Sequence, residues 1–282
     1  MGIFSLAQNV VSGSAGIISG SLDLHSSLTD LQAFGGMAGS GFSAYVGSTY
    51  LATDDDLTQA DLHYTELETD YEISNSVQFT HDPYELAAFL TAVYGDFTYD
   101  DVQDVLNQIF EQQTAESKTF TEVISGMMTD DQYGVYELLL YSKGNRQYIA
   151  SPFDFNWQSD ISSYYGYRVS PITGAKELHN GIDIPVPVGT DVHSGIDGVV
   201  SDTGWNDNYG NYIIIDNSDG ISVKYEHCDE ILAAVGQKVK SGEVVAKSGD
   251  SGADTTGAHL HMEAKENGKY INPLYFTLNG GN

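Results

Sequence analysis

The chain has 282 residues, enough for one large domain or two of ordinary size. Its 11 Lys and Arg stand against 40 Asp and Glu, a formal net charge of −29. That balance argues against nucleic acid and anionic lipid as partners, because both are held by cations that this surface lacks. A single cysteine, Cys228, excludes an intrachain disulfide and leaves the redox compartment undecided.

The acidity is uneven: residues 1–150 hold 22 acidic against 3 basic side chains, and residues 151–282 hold 18 against 8. No loop of the EF-hand type collects these carboxylates around calcium, so solubility is their plain reading. Residues 1–22 carry no charge but are broken by Gly, Ser, Asn and Gln. No basic stretch precedes them, and no apolar run reaches the ~18 residues that span a bilayer. Either the chain is cytosolic or it begins after a removed anchor. Residues 1–48 are rich in Gly, Ser and Ala and read as an irregular segment.

Helical signals begin at Thr53, an N-cap followed by Asp54, Asp55 and Asp56, whose charge suits a helix N-terminus. Leu57, Ala60, Tyr64, Leu67 and Tyr71 then recur at steps of three and four, one face of a helix. Asp82-Pro83 opens a second helix that runs to Gly95. Thr98 with Asp101 opens a third, whose inner face is Val102, Val105, Leu106, Ile109 and Phe110. Thr129 with Gln132 is a further capping box, leading to a stop near Gly144. Residues 49–148 are thus expected to form a small helical domain and 149–158 a linker.

From residue 159 to the end the pattern changes to short β-branched runs, GVVSDTG, NYIIID, ISVKYEH, VVAKSG and HLHMEA, parted by Gly, Asn and Asp turns. This is the mark of an all-β antiparallel domain. The fold class is therefore multi-domain α+β, a helical N-terminal domain followed by a β-rich one.

The chemistry gathers in the second part. His179 and Asp183 stand four apart in HNGIDIP, and His259 and His261 stand two apart in HLHMEA. On a strand, residues i and i+2 share a face, so both imidazoles of the pair project together while Leu260 and Met262 point away. Imidazole nitrogen and carboxylate oxygen are ordinary zinc ligands. Two histidines and an aspartate would leave a fourth position open, as catalytic zinc requires. One ring of the pair then sits on the metal and the other beside it, free to move protons.

The segments ISSYYGYRVSPITGAKELHNGIDIPVPVGTDVHSGIDGVV, GNYIIIDNSDGISVKYEH and GAHLHMEA together resemble the lysostaphin/LytM-type zinc endopeptidases of peptidoglycan, over roughly residues 158–275. The resemblance implies that His179, Asp183 and His261 bind zinc. It implies that His227 and His259 activate water and stabilise the tetrahedral oxyanion, and that the substrate is a wall peptide. It also implies a β framework grooved above the metal, and a location facing the wall. Two positions depart from the pattern, Cys228-Asp229 after His227 and Met262 where Phe is common, and neither is a ligand or a proton-handling histidine.

A cysteine nucleophile at Cys228 beside His227 is set aside because adjacent strand residues face opposite ways. His193 reads as structural or exposed, and His81 as a turn or capping residue. His25 and His63 have no companion motif. Arg168 reads as an ion pair near the groove and Asn211 as a turn residue, with the resemblance placing it near the metal. The helical stretches YVGSTYLATDDDL and HDPYELAAFLTAVYGDFTYDDVQDVLNQIFEQQ are similar to wall hydrolases of Gram-positive conjugative elements. That similarity implies a transfer or secretion apparatus as a partner. The competing expectation is a non-catalytic module that holds peptidoglycan, or activates another hydrolase, through the same groove.

Overall fold

The computed structural model describes residues 48–280. Among the described residues five helices come first: α1 (Asp54–Asn75), α2 (Pro83–Tyr94), α3 (Tyr99–Glu116), α4 (Phe120–Ser125) and α5 (Asp130–Ser142). The starts expected from capping residues are where the sequence puts them. Thr53 Oγ1 accepts the Asp56 amide at 3.1 Å, and Asp82 Oδ1 accepts that of Tyr84 at 2.8 Å. Thr98 with Asp101 and Thr129 with Gln132 form capping boxes. The short α4 is an addition to the expected helices, although Thr119 and Glu122 carry the same box. At six residues it is too short to show a period. The irregular segment expected over 1–48 lies, but for its last residue, outside the described residues.

Twelve strands follow: β1 (Gly166–Val169), β2 (Lys176–His179), β3 (Gly181–Pro185), β4 (Asp191–His193), β5 (Gly198–Asn206), β6 (Gly210–Asp216), β7 (Ile221–Cys228), β8 (Glu230–Ile231), β9 (Lys238–Val239), β10 (Val244–Lys247), β11 (His259–Glu266) and β12 (Lys269–Ile271). A seven-stranded sheet runs in the order β12-β11-β7-β6-β5-β9, with β3 also on β11. β1 and β2 form a hairpin, and β4-β10-β8 a small second sheet. Every pairing between these strands is antiparallel. A last turn, α6 (Pro273–Phe276), closes the described chain. The architecture is a small helical region followed by an antiparallel β framework.

The two regions share a core. Tyr275 and Phe276 of α6 are fully buried against the helical side, where Tyr275 donates to the Pro83 carbonyl at 3.0 Å and Tyr84 to that of Leu274 at 2.8 Å. Lys176 on β2 bridges Glu66 and Asp70 of α1 at 2.9 and 2.6 Å. The stretch 149–158, read as a linker, contributes buried Ile149, Phe153 and Trp157. Its backbone is held by Phe276 and Gly195. Gly144 sits at φ +71 with Tyr50 so close that an added Cβ would lie 2.3 Å from the ring, which seals the end of α5. Among the described residues no helix is long and apolar enough to cross a membrane.

Candidate metal centre

β11 is the spine of the site. Its register places His261 directly opposite Asp183 on β3 and opposite Glu226 on β7. Leu260 and Met262 are fully buried in the core, so His259, His261 and Glu263 face the other way, as the period of two requires. His179, the last residue of β2, reaches the same point. His179 Nε2 lies 3.1 Å from Asp183 Oδ1 and 3.0 Å from His261 Nδ1, and His261 Nδ1 lies 2.8 Å from Asp183 Oδ1. Gly181 makes this approach possible, because a Cβ there would meet the Met262 carbonyl at 2.4 Å and the His261 ring at 2.8 Å.

The outer nitrogen of each ring decides what the inner one presents. His179 Nδ1 faces the Tyr164 carbonyl at 2.7 Å, His227 Nδ1 the Ser251 carbonyl at 2.9 Å, and His259 Nδ1 the Gly257 carbonyl at 2.7 Å. A carbonyl only accepts, so each Nδ1 carries the proton and each Nε2 keeps a lone pair. In His261 the order is reversed: Nε2 faces Glu263 and Glu226 at 3.7 and 3.9 Å, and Nδ1 points inward. Three electron-pair donors, His179 Nε2, Asp183 Oδ1 and His261 Nδ1, thus converge with a single proton at most to share. Two nitrogens and an oxygen gathered in this way fit a divalent cation.

The electrostatics agree. Burial alone would raise Asp183, but the imidazoles of His179 and His261 beside it outweigh that and hold the carboxyl well below the usual carboxylate range. Arg168 takes the other oxygen, Oδ2, at 3.1 Å while its Nε holds Glu177 at 2.8 Å, leaving Oδ1 for the cluster. Burial lowers His179. Burial would also lower His261, but Asp183 and Glu263 push it up to about 10, so this nest of carboxylates calls for positive charge at its centre.

The rings of His227 and His259 stand 4.7 Å apart beside the cluster, with His259 Nε2 3.6 Å from Asp183 Oδ1. Burial lowers His227 to about 4, which makes it a neutral base near pH 7. Regular strand alternation does not explain its aim. The β6–β7 register slips between Asn211 and Ile213, and His227 adopts φ 60. This bulge re-aims a side chain, as bulges do near active sites. The slip leaves Cys228 fully buried, its thiol pushed up to about 12 by burial and facing the Glu226 carbonyl at 3.8 Å, unsuited to nucleophilic attack.

The structure therefore brings together His179, Asp183, His227, His259 and His261. The amide of Asn211 clasps the carbonyls of Cys228 and Asp229 at 3.0 and 3.2 Å and so braces the bulge that carries His227. His193 pairs with Asp154 at 3.4 Å, and His63 bonds Asn107 at 3.1 Å, both away from the site. His25 lies outside the described residues. Sequence reading misses Glu226, Glu263 and Lys224. The two carboxylates are buried behind His261, and Lys224 bridges them while stacking 4.0 Å from the centre of the Tyr209 ring. The face-sharing rule already aligns Glu263 with His261. Glu226 and Lys224 need the strand register.

Residues 177–273 match the family model described as Peptidase family M23. The chain is 41% identical over 118 residues to the DD-carboxypeptidase/endopeptidase Mpg of Neisseria meningitidis, covering 42% of this chain and 27% of that protein. It is 35% identical over 167 residues to the peptidoglycan DD-endopeptidase ShyC of Vibrio cholerae, covering 58% of this chain and 36% of the relative. The chain thus spans about a third or less of the length of these curated relatives. Among solved structures, the catalytic domain of the prophage-encoded M23 protein EnpA from Enterococcus faecalis, in a point-mutant form, is 31% identical, covering 44% of this chain and 96% of that one with a TM-score of 0.36. That score gives the overlay no weight of its own. The converging donors His179, Asp183 and His261 all lie within the span, residues 177–273, that matches the model of Peptidase family M23.

Proposed function

We propose that the protein is a zinc-dependent endopeptidase that hydrolyses peptide bonds of peptidoglycan cross-links or stem peptides. His179, Asp183 and His261 hold the zinc, and His227 and His259 carry the protons. The observation that carries this reading is the division of lone pairs: three aimed at one point, and two more from anchored imidazoles alongside it. Zinc bound there supplies Lewis acidity, polarising the scissile carbonyl and making an attacking water more acidic.

The chain's own residues do the rest. Arg168 and the Tyr164 carbonyl fix Asp183 and His179 in place, so little reorganisation remains to be done. His227, neutral at pH 7 and held by the Ser251 carbonyl, is placed to take the proton of the attacking water at Nε2. When the C–N bond breaks, a protonated imidazole returns that proton to the leaving amine. With its ring protonated, His259, held at Nδ1 by the Gly257 carbonyl, donates Nε2–H to the oxygen on which negative charge develops and so stabilises it.

A non-catalytic groove module is the weaker reading, since such a module has no use for two anchored bases beside the donor cluster. The relatives' printed names, peptidoglycan DD-endopeptidase and DD-carboxypeptidase/endopeptidase, support wall peptides as substrates. Sequence likeness of the helical region supports local wall opening for a conjugative transfer apparatus, and with it a wall-facing location outside the membrane. The test is mass spectrometry of fragments released from several purified walls. Soluble peptides should appear, vanish with chelator and return with added zinc. Zinc uptake without any fragment would leave the site but remove the enzyme.

A further inference from the structure

Between the helical region and the β framework lies a cleft of about 540 Å³. Asp82, Tyr84 and Glu85 at the start of α2, with Lys143 at the end of α5, form one side, and Gln158 and Tyr164 form the other. That second side is shared with the metal centre. The Tyr164 carbonyl orients His179, and the preceding Ser163 pairs with Asp183. Because the Tyr164 side chain leaves from the same residue, the cleft lies within roughly 10 Å of His179, about three residues of extended peptide. A substrate laid across the cluster has the cleft within reach.

Its polar groups are partly committed. Glu85 receives the hydroxyls of Thr121 and Tyr136 at 2.8 and 3.1 Å. Lys143 Nζ donates to Gln158 and sits 4.7 Å from the centre of the Tyr84 ring, which leaves it hydrogens to offer. Asp82 caps α2 through Oδ1, while its Oδ2 and the Tyr164 hydroxyl make no hydrogen bond among the described residues. One cavity therefore holds a carboxylate with a spare acceptor, a second carboxylate reinforcing its field, and an ammonium with spare donors.

We propose that this cleft is a substrate subsite for an amino-acid head group bearing both an ammonium and a carboxylate, such as the free end of a diamino diacid within a wall peptide. The ammonium meets Asp82 and the carboxylate meets Lys143. The assignment rests on the wall-peptide reading above, and it makes the helical region part of substrate selection.

The test uses the full chain and short wall-type peptides that carry the head group on an uncleavable, N-methylated backbone, so binding is read apart from cleavage. By calorimetry the wild type should bind the two-charge peptide about tenfold more tightly than the same peptide with a lysine in its place, the gain of one charge-assisted contact. Lys143→Gln should abolish that preference. Asp82→Asn, which keeps the cap, should weaken both peptides about tenfold. Unchanged melting temperatures show that the variants fold. Equal affinity for the two peptides in wild type, or unchanged binding in both variants, overturns the subsite. Wall cleavage is measured separately: its absence with peptide selectivity intact would sink the catalytic reading and leave the cleft standing.

Discussion

Among the described residues two buried histidine–carboxylate clusters are built to opposite ends. In the helical region His81 lies between Asp61 and Glu68, with Nε2 3.0 Å from one carboxylate and Nδ1 3.1 Å from the other. Both ring nitrogens meet acceptors, so two protons satisfy the ring and nothing is left pointing at a vacant centre. In the β region His179, His227 and His259 spend their outer N–H groups on carbonyls, His261 turns its outer nitrogen to Glu263 and Glu226, and the inner nitrogens of His179 and His261 meet each other. The same residue types give an ionic clamp in one place and a metal centre in the other. The side on which each proton is held decides which.

The clamp also has a structural reach that the residue types alone do not disclose. Asp61 accepts a second bond from Asn272 at 2.8 Å, tying α1 to the segment before α6. His81, read from the sequence as a turn or capping residue, is thus part of the joint between the two regions. Burial would lower its pKa, but Glu68 and Asp61 outweigh that and raise it to about 10.

The two clusters part most clearly when each loses a donor. His179→Ala should leave residual metal by mass spectrometry near background and wall cleavage below detection, with the fold retained. His227→Ala or His259→Ala should keep the metal and lose about 10²- to 10⁴-fold in turnover, as expected for a proton-handling group. Equal loss of metal in these variants would make them ligands instead.

His81→Leu should leave zinc affinity almost unchanged yet cost about 3–5 kcal/mol in urea unfolding, because two buried carboxylates lose their cation. The pH dependence carries a sign. A folded pKa of about 10, above the ordinary 6.5, means that the clamp's contribution is complete below 6.5 and is lost as pH rises through 10. A urea midpoint that rises over that window in wild type would contradict the assignment. The smallest effect expected is that of Glu263→Gln, about 10- to 100-fold in metal affinity, since the carboxylate acts only through the outer nitrogen of His261.

Much of this is legible in the sequence where the determining interactions are local. Helix starts at Thr53, Asp82, Thr98 and Thr129 depend on side chains bonding amides two or three residues away. The shared face of His259 and His261 depends only on strand geometry. What lies far apart in the chain is not legible. Nothing local tells that His81 meets Asp61, or that Glu226 stands behind His261.

Neighbouring residues are thus enough to say which segments are helix and strand, and which histidines and carboxylates are available in pairs. Only the folded chain brings Asp183 on β3 face to face with His261 on β11, turns His227 towards them through a bulge, and ties the helical region to the end of the chain through buried Tyr275. The difference is one of range. Caps and alternation are settled within one turn or two residues. A lone pair finds its partner only when register, bulge and packing have fixed both ends of a contact, and for His179 and His261 those ends lie 82 residues apart.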